Sequence, residues 1–184
     1  MNFYCQLDYK HISYPSPSSI NGNIADNGCG VCCASMVVEA LCDTIFPIEV
    51  SAKFAKKSGA REGFGTNMAI LAPAIANEFN LKVTPTLDTN EVKEFLRNKQ
   101  GLVIANTIGD HDDWIGVFSD GRHYIVLTSL EDNTVGVLDP MYREGRYDIE
   151  GRIGKVRMDG YTAYADFSVV ENDCIGKTYY MFSK

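Results

Sequence analysis

The chain reads as an α+β protein, with a mainly helical half over residues 1–100 packed on a mainly β half over residues 101–184. Three observations carry this reading. Cys33, Met36, Val37, Ala40 and Leu41 recur at three- and four-residue spacings, the period of a helix with one buried side, and further helical segments follow before residue 100. From about residue 101, runs of β-branched and aromatic residues take their place. Between those runs lie Ser119-Asp120-Gly121 and Glu131-Asp132-Asn133, turn formers that join strands antiparallel. With 184 residues and 45% hydrophobic composition, the chain has the size and apolar content of one domain with a substantial core, and neither a linker nor a repeat divides it.

Taken in order, the first long helix spans Val31 to Leu41, with Cys33, Met36, Val37, Ala40 and Leu41 on its buried side and Asp26 or Asn27 available as its cap. A second runs from about Ile48 to Lys57 with Ile48, Phe54 and Ala55 inward. Ser58 to Gly65 is a glycine-rich loop. It lacks both a leading strand and the lysine of a phosphate loop, so it reads as a connection at the edge of a cleft. Thr66 or Asn67 starts a helix reaching Phe79, and Asp88 or Thr89 caps another to about Asn98. Strands are expected at 81–85, 102–108, 123–130 and 135–138, and a last strand at 177–182 joins the sheet despite poor alternation. In the rest of the tail, Arg143, Arg146, Arg152, Lys155 and Arg157 are interleaved with Asp148, Glu150 and Asp159, which suggests a solvated β-rich extension rather than an anion site.

Chemistry concentrates at Cys29, inside Asp26-Asn27-Gly28-Cys29-Gly30 at a helix start. Unpaired backbone N–H groups and the positive end of the helix dipole favour a thiolate there. Gly28 and Gly30 would allow a sharp entry into the helix and the close approach of a substrate. The competing reading is an ordinary buried cysteine.

A thiolate nucleophile needs a base, and the histidines are His11, His111 and His123. His123 opens the strand Arg122 to Thr128, and Asp139 ends the next strand just before Pro140, where a central strand stops. A hairpin turning near residue 132 sets the two nearly opposite each other at its open end. A carboxylate beside an imidazole fixes its tautomer and stabilises the imidazolium.

Gln6-Leu7-Asp8-Tyr9, then Gly28-Cys29-Gly30 with Ala34-Ser35-Met36-Val37, then Gly121-Arg122-His123-Tyr124-Ile125-Val126-Leu127, then Val137-Leu138-Asp139-Pro140, together resemble the bacterial peptidases that process bacteriocin leaders after a double glycine, a branch of the papain-like cysteine peptidases. The resemblance runs from about Cys5 to Pro140 and weakens afterwards. It implies the papain-like fold, with a helical part carrying the nucleophile packed on an antiparallel sheet. It also implies Cys29 as nucleophile, His123 as general base and acid, Asp139 as orienter and Gln6 as oxyanion-hole donor, acting on a peptide or protein substrate without a cofactor or metal.

Val31-Cys32-Cys33 departs from that pattern and creates Cys29-Gly30-Val31-Cys32, the spacing of a thiol redox site or half of a zinc site. The remaining cysteines are scattered and the histidines do not cluster, which argues against zinc. A peptidase-shaped binding module without turnover is the other alternative. His111-Asp112-Asp113-Trp114 reads as an exposed acidic loop with an anchoring aromatic. The net charge of −7 argues against nucleic acid or an anionic membrane as partner, and no apolar run has the length of a membrane span. As written the chain is expected to be cytoplasmic, or secreted if a leader preceded Met1; oligomeric state is not readable.

Overall fold

The computed structural model describes residues 2–184. Its elements, in chain order, begin with a 3-10 turn at Gln6–Tyr9 and the short helix α1 (Ile24–Asn27). The first half continues with α2 (Cys29–Cys42), α3 (Ile48–Lys57), strands β1 (Arg61–Glu62) and β2 (Gly65–Thr66), α4 (Met68–Phe79), β3 (Lys82–Thr86) and α5 (Thr89–Arg97). The second half comprises β4 (Leu102–Thr107), β5 (His123–Glu131), β6 (Thr134–Leu138), β7 (Val156–Asp159), β8 (Thr162–Asp166), α6 (Phe167–Asp173) and β9 (Tyr179–Ser183). Seven strands form one antiparallel sheet in the order β3-β9-β4-β5-β6-β8-β7, so the α+β class read from the sequence holds.

The sheet has a core on each face. On one, Ile104, Val126, Leu138 and Phe182 meet α2, α3 and α4. On the other, Val103, Ile125, Leu127 and Val137 meet Val92 and Leu96 of α5, Phe167 and Val170 of α6, and the loop residues Val117 and Phe118. Strands covered on both sides carry continuous apolar runs, which is why alternation is weak in β4 and β9. The last strand does join the sheet, and it lies inside it, between β3 and β4. Pro85 sits in β3, an edge strand whose free side needs no N–H donor.

Several helix starts follow the expected capping chemistry. The Asn67 side chain accepts from Ala69 N and that of Asp88 from Asn90 N, each satisfying a donor in the first turn. The start of α2 differs from expectation. Asp26 and Asn27 belong to α1, whose cap is Asn23, and the residue before α2 is Gly28, which has no side chain to cap with. Helix α2 is also buried all round from Val31 to Val38, whereas Ala40 is exposed, because the helix lies between the sheet and α3 and α4 rather than against a single surface. The glycines serve the chain's own packing. A Cβ on Gly28 would meet Ile24 Cγ2 at 2.5 Å, and one on Gly30 would meet Thr66 Cβ at 2.9 Å, so close approach there is by α1 and β2 instead of by a substrate.

The glycine-rich loop folds into the β1–β2 hairpin. The tail holds helix α6, which its mixed charge pattern concealed, and two of its cations are not solvated. Arg152 is buried and donates Nε to Gly116 O at 2.9 Å, and Arg146 is largely buried at an ion pair described below. Trp114 anchors its loop as expected, donating Nε1 to Asp173 Oδ1 at 2.7 Å, with Lys155 Nζ 4.0 Å from its ring centre. Asp173 also accepts from Val117 N at 3.0 Å and Phe118 N at 2.7 Å, so one buried carboxylate fixes the segment that leads to β5.

The β5–β6 hairpin turns at Asp132 and carries a bulge between Leu127 and Ser129. Gly136 stands opposite Ser129, and a Cβ there would lie 2.7 Å from both Ser129 Oγ and Thr128 Oγ1. Gly136→Ala therefore strains the bulge and is expected to cost about 1–3 kcal/mol, the usual range for overpacking. Urea unfolding of the variant, read at unchanged m-value, checks this.

Candidate active site

The N-terminus of α2 points at the end of the central strands, where a cleft of about 810 Å³ opens. Gln6, Cys29 and His123 line it, with the β1–β2 hairpin as one wall and Asn106, Arg122, Tyr124 and Lys177 on the other. Cys29 is partly exposed at its floor. Burial by itself pushes the thiol up. The hydrogen bond and charge of His123, with the backbone N–H groups of Tyr124 and Gly30, outweigh it and hold the thiol below its ordinary value.

His123 Nε2 is 2.7 Å from Asp139 Oδ1, which leaves Nδ1 as the ring nitrogen for the sulfur. Burial would depress the imidazolium, but Asp139's charge and hydrogen bond, followed by Cys29, raise it to about 9. Asp139 is almost wholly buried. Its burial is opposed first by His123, then by Arg146 and the N–H of Met141, and it is held at about 2.

The pairing of His123 and Asp139 differs in detail from the hairpin expected. They are diagonal, not opposite. The register sets Leu127 against Val137 and Val126 against Leu138; continued by one residue it sets Asp139 against Ile125, on the face of His123. Without the extra residue at Thr128, Asp139 would fall opposite Val126 and point to the other face, because one residue of slip inverts every side chain. The bulge puts the two side chains together.

Asp139 has further partners that the sequence reading missed. Arg146 Nε donates to Oδ2 at 2.7 Å, Tyr147 OH donates to Oδ2 at 2.8 Å, and Met141 N donates to Oδ1 at 2.8 Å. Arg146 Nη2 also donates to Phe118 O, tying the carboxylate to the segment held by Asp173. The available signal was a cluster of arginines just after Asp139, in a stretch read as solvated.

Gln6 is buried at the cleft. Its backbone N donates to Pro140 O at 2.7 Å, and its Nε2 donates to Ala25 O at 2.7 Å. The second bond determines the amide's orientation, since only the NH₂ end can face a carbonyl oxygen, and it leaves the other N–H of that group uncommitted. Cys32 and Cys33 are fully buried and their thiols lie well above the ordinary value, first because of burial and then because of charge at Cys29. Cys32 is thus a poor resolving thiol for Cys29.

The hairpin wall is held firmly. Arg61 is buried with its ring-facing guanidinium 4.6 Å from the Tyr14 ring centre, and it donates to Tyr14 O at 2.8 Å, Gly65 O at 2.8 Å and Gly63 O at 3.1 Å. Asn27, two residues before Cys29, donates Nδ2 to Phe64 O at 2.7 Å. The wall and the approach to the helix start are therefore tied by a direct hydrogen bond.

Solved structures match this architecture, two of them as follows. The peptidase domain of Streptococcus ComA, a bifunctional ABC transporter of a quorum-sensing pathway, aligns with a TM-score of 0.55 at 11% identity, over 84% of this chain and 90% of that one. A C39-like peptidase from Bacillus anthracis aligns with a TM-score of 0.59 at 14% identity, over 86% of this chain and 90% of that one. The chain has the papain-like peptidase fold. No protein-family model matches it, and no curated protein does. At these identities the likeness speaks for the fold alone, and the chemistry rests on the cleft itself.

Removing Arg146 takes a cation away from the His123–Asp139 pair, so the imidazolium is less opposed and its titration moves above about 9 in Arg146→Met. Tyr147→Phe deletes one hydrogen bond to a charged group and is expected to cost about 1.5–3 kcal/mol. NMR titration of the ring and urea unfolding check the two effects.

Proposed function

We propose that the chain is a cysteine peptidase that hydrolyses peptide bonds through Cys29, His123 and Asp139. The observation that carries this reading is that Cys29 and His123 line the same open cleft, that the charge of His123 lowers the Cys29 thiol, and that His123 Nε2 is 2.7 Å from the buried Asp139. In this reading the thiolate attacks the scissile carbonyl carbon, and a tetrahedral oxyanion forms. The free N–H of Gln6 and the backbone N–H of Cys29 are the donors offered to it. The proton on His123 Nδ1 passes to the leaving amine as the C–N bond breaks, and a thioester remains on Cys29. Water then gives a proton to His123 and attacks the thioester, releasing the acid and restoring the thiolate and imidazolium. Asp139 keeps the ring oriented and its charge balanced throughout.

No helix among the described residues is long and apolar enough to cross a membrane. The thiolate–imidazolium pair exists above the lowered thiol value and below about 9, where the raised imidazolium loses its proton. The expected profile of kcat/KM accordingly holds on the acid side, where an ordinary thiol of about 8.5 is protonated, and falls as pH rises through about 9.

Turnover of a quenched fluorescent peptide library, with products identified by mass, tests the assignment. Cys29→Ala and His123→Ala should abolish cleavage, while Cys32→Ala, His11→Ala and His111→Ala keep most of it. Cys29→Ser should fold normally but fail to cleave. Equal loss from Cys32→Ala would favour thiol redox chemistry instead. Gln6→Ala is expected to lower kcat by about 10²–10³, the effect of losing one oxyanion donor; unchanged kcat would remove Gln6 from the mechanism.

A further inference from the structure

The cleft has two unlike walls. On the hairpin side stand Asp26 and Glu62, and each carboxylate already accepts an amide N–H from the protein: Asp26 from Asn23 Nδ2 at 2.7 Å, Glu62 from Asn67 Nδ2. On the sheet side stand Arg122, Lys177 and Asn106. Neither cation is in an ion pair among the described residues.

Their placement follows from the strand register. Thr107 pairs with His123 and Ala105 with Tyr179, so Arg122, one residue before β5, and Lys177, two residues before β9, flank the C-terminal end of β4 from either side. Asn106 pairs with Tyr124 and shares its face, and Arg122, two residues before Tyr124, continues that face into the cleft. In a chain of net charge −7, two unpartnered cations thus converge in the concave site that holds the nucleophile. A concave wall of one sign concentrates its potential on whatever enters.

We propose that Arg122, Lys177 and Asn106 form a carboxylate subsite, which selects peptides carrying an acidic group close to the scissile bond. The inference deepens the peptidase reading and rests on it for the placement of the scissile bond. The guanidinium supplies a planar fork suited to the two carboxylate oxygens, the ammonium a point charge, and the Asn106 amide a further donor. A peptide carries its negative charge as carboxylate, either on an Asp or Glu side chain or at its C-terminus.

Three alkylating reagents separate these sources and do not need turnover. Iodoacetyl-glutamine amide is neutral, iodoacetyl-glutamate α-amide carries only a side-chain carboxylate, and iodoacetyl-glutamine free acid carries only a terminal one. In each case the Cys29 sulfur displaces iodide from the CH₂ group, forming a C–S bond as the C–I bond breaks. Rates are measured by intact mass at about pH 6 and about pH 9, both below the ordinary lysine pKa of about 10.4.

At least one acidic reagent should label Cys29 about tenfold faster than the neutral one, and the preference should shrink between about 0.05 M and about 0.5 M salt as the charges are screened. Whichever acid is favoured names the source of the carboxylate. Combining Arg122→Gln with Lys177→Gln should bring the acid-to-neutral ratio near one, while Lys57→Gln, a charge loss on α3, leaves the ratio as it was. Equal rates for all three reagents in the unaltered protein, or a preference that survives the double substitution, would overturn the subsite. Labelling at pH 9 but not at pH 6 would sink the activated thiol, and the ratio at pH 9 still decides the subsite.

Discussion

A charged carboxylate sealed inside the protein is the constraint around which the site is arranged. Asp139 is almost wholly buried, and a buried anion is tolerated only when its lone pairs find donors and its charge finds cations. It has four donors: the His123 ring, Met141 N, Arg146 Nε and Tyr147 OH. Their number explains why the chain from Pro140 to Tyr147 folds back over the end of the sheet. The negative charge that they keep on Asp139 in turn favours the imidazolium in a place where burial alone would expel it.

The same carboxylate links parts of the chain that are far apart. Arg146 reaches on to Phe118 O, and Phe118 N is held by Asp173, so the approach to His123 and the carboxylate behind it share one network. On the other side, Gln6 joins Pro140 to Ala25 through two hydrogen bonds, bridging the residue after Asp139 and the short helix before Cys29. Nucleophile and base come from opposite halves of the chain. Their separation is set by this polar framework as well as by the apolar contact of α2 with the sheet.

The buried Arg61 plays a comparable part for the cleft wall. Burial lowers its pKa, and its partners are mostly backbone carbonyls rather than a carboxylate, so its guanidinium works as a multi-pronged clamp on the β1–β2 turn. A cleft whose wall is already in place loses little conformational freedom when a peptide enters it.

The longer helices α2 to α5 and the strands β3 to β6 and β9 were legible in the sequence because they depend on local chemistry: apolar period, caps such as Asn67 and Asp88, and β-branched runs; α1, the β1–β2 hairpin, β7, β8 and α6 were not. Cys29 at a helix start and His123 at a strand start were legible for the same reason, and the motif order from Gln6 to Pro140 pointed to the fold. The misreadings share a physical cause. Arg146 and Tyr147 look solvated until a buried anion 7 or 8 residues away calls on them. Gly30 took its surroundings from Thr66 of β2, and Ala40 is exposed although its spacing matches the buried side of α2, because the helix is packed between the sheet and α3 and α4. The bulge at Thr128 is decided by pairing across two strands, and without it His123 and Asp139 would face opposite sides of the sheet. The sequence by itself determined which residues are chemically capable; the tertiary structure decided which of them meet, because burial and strand register are properties of residues brought together from distant points in the chain.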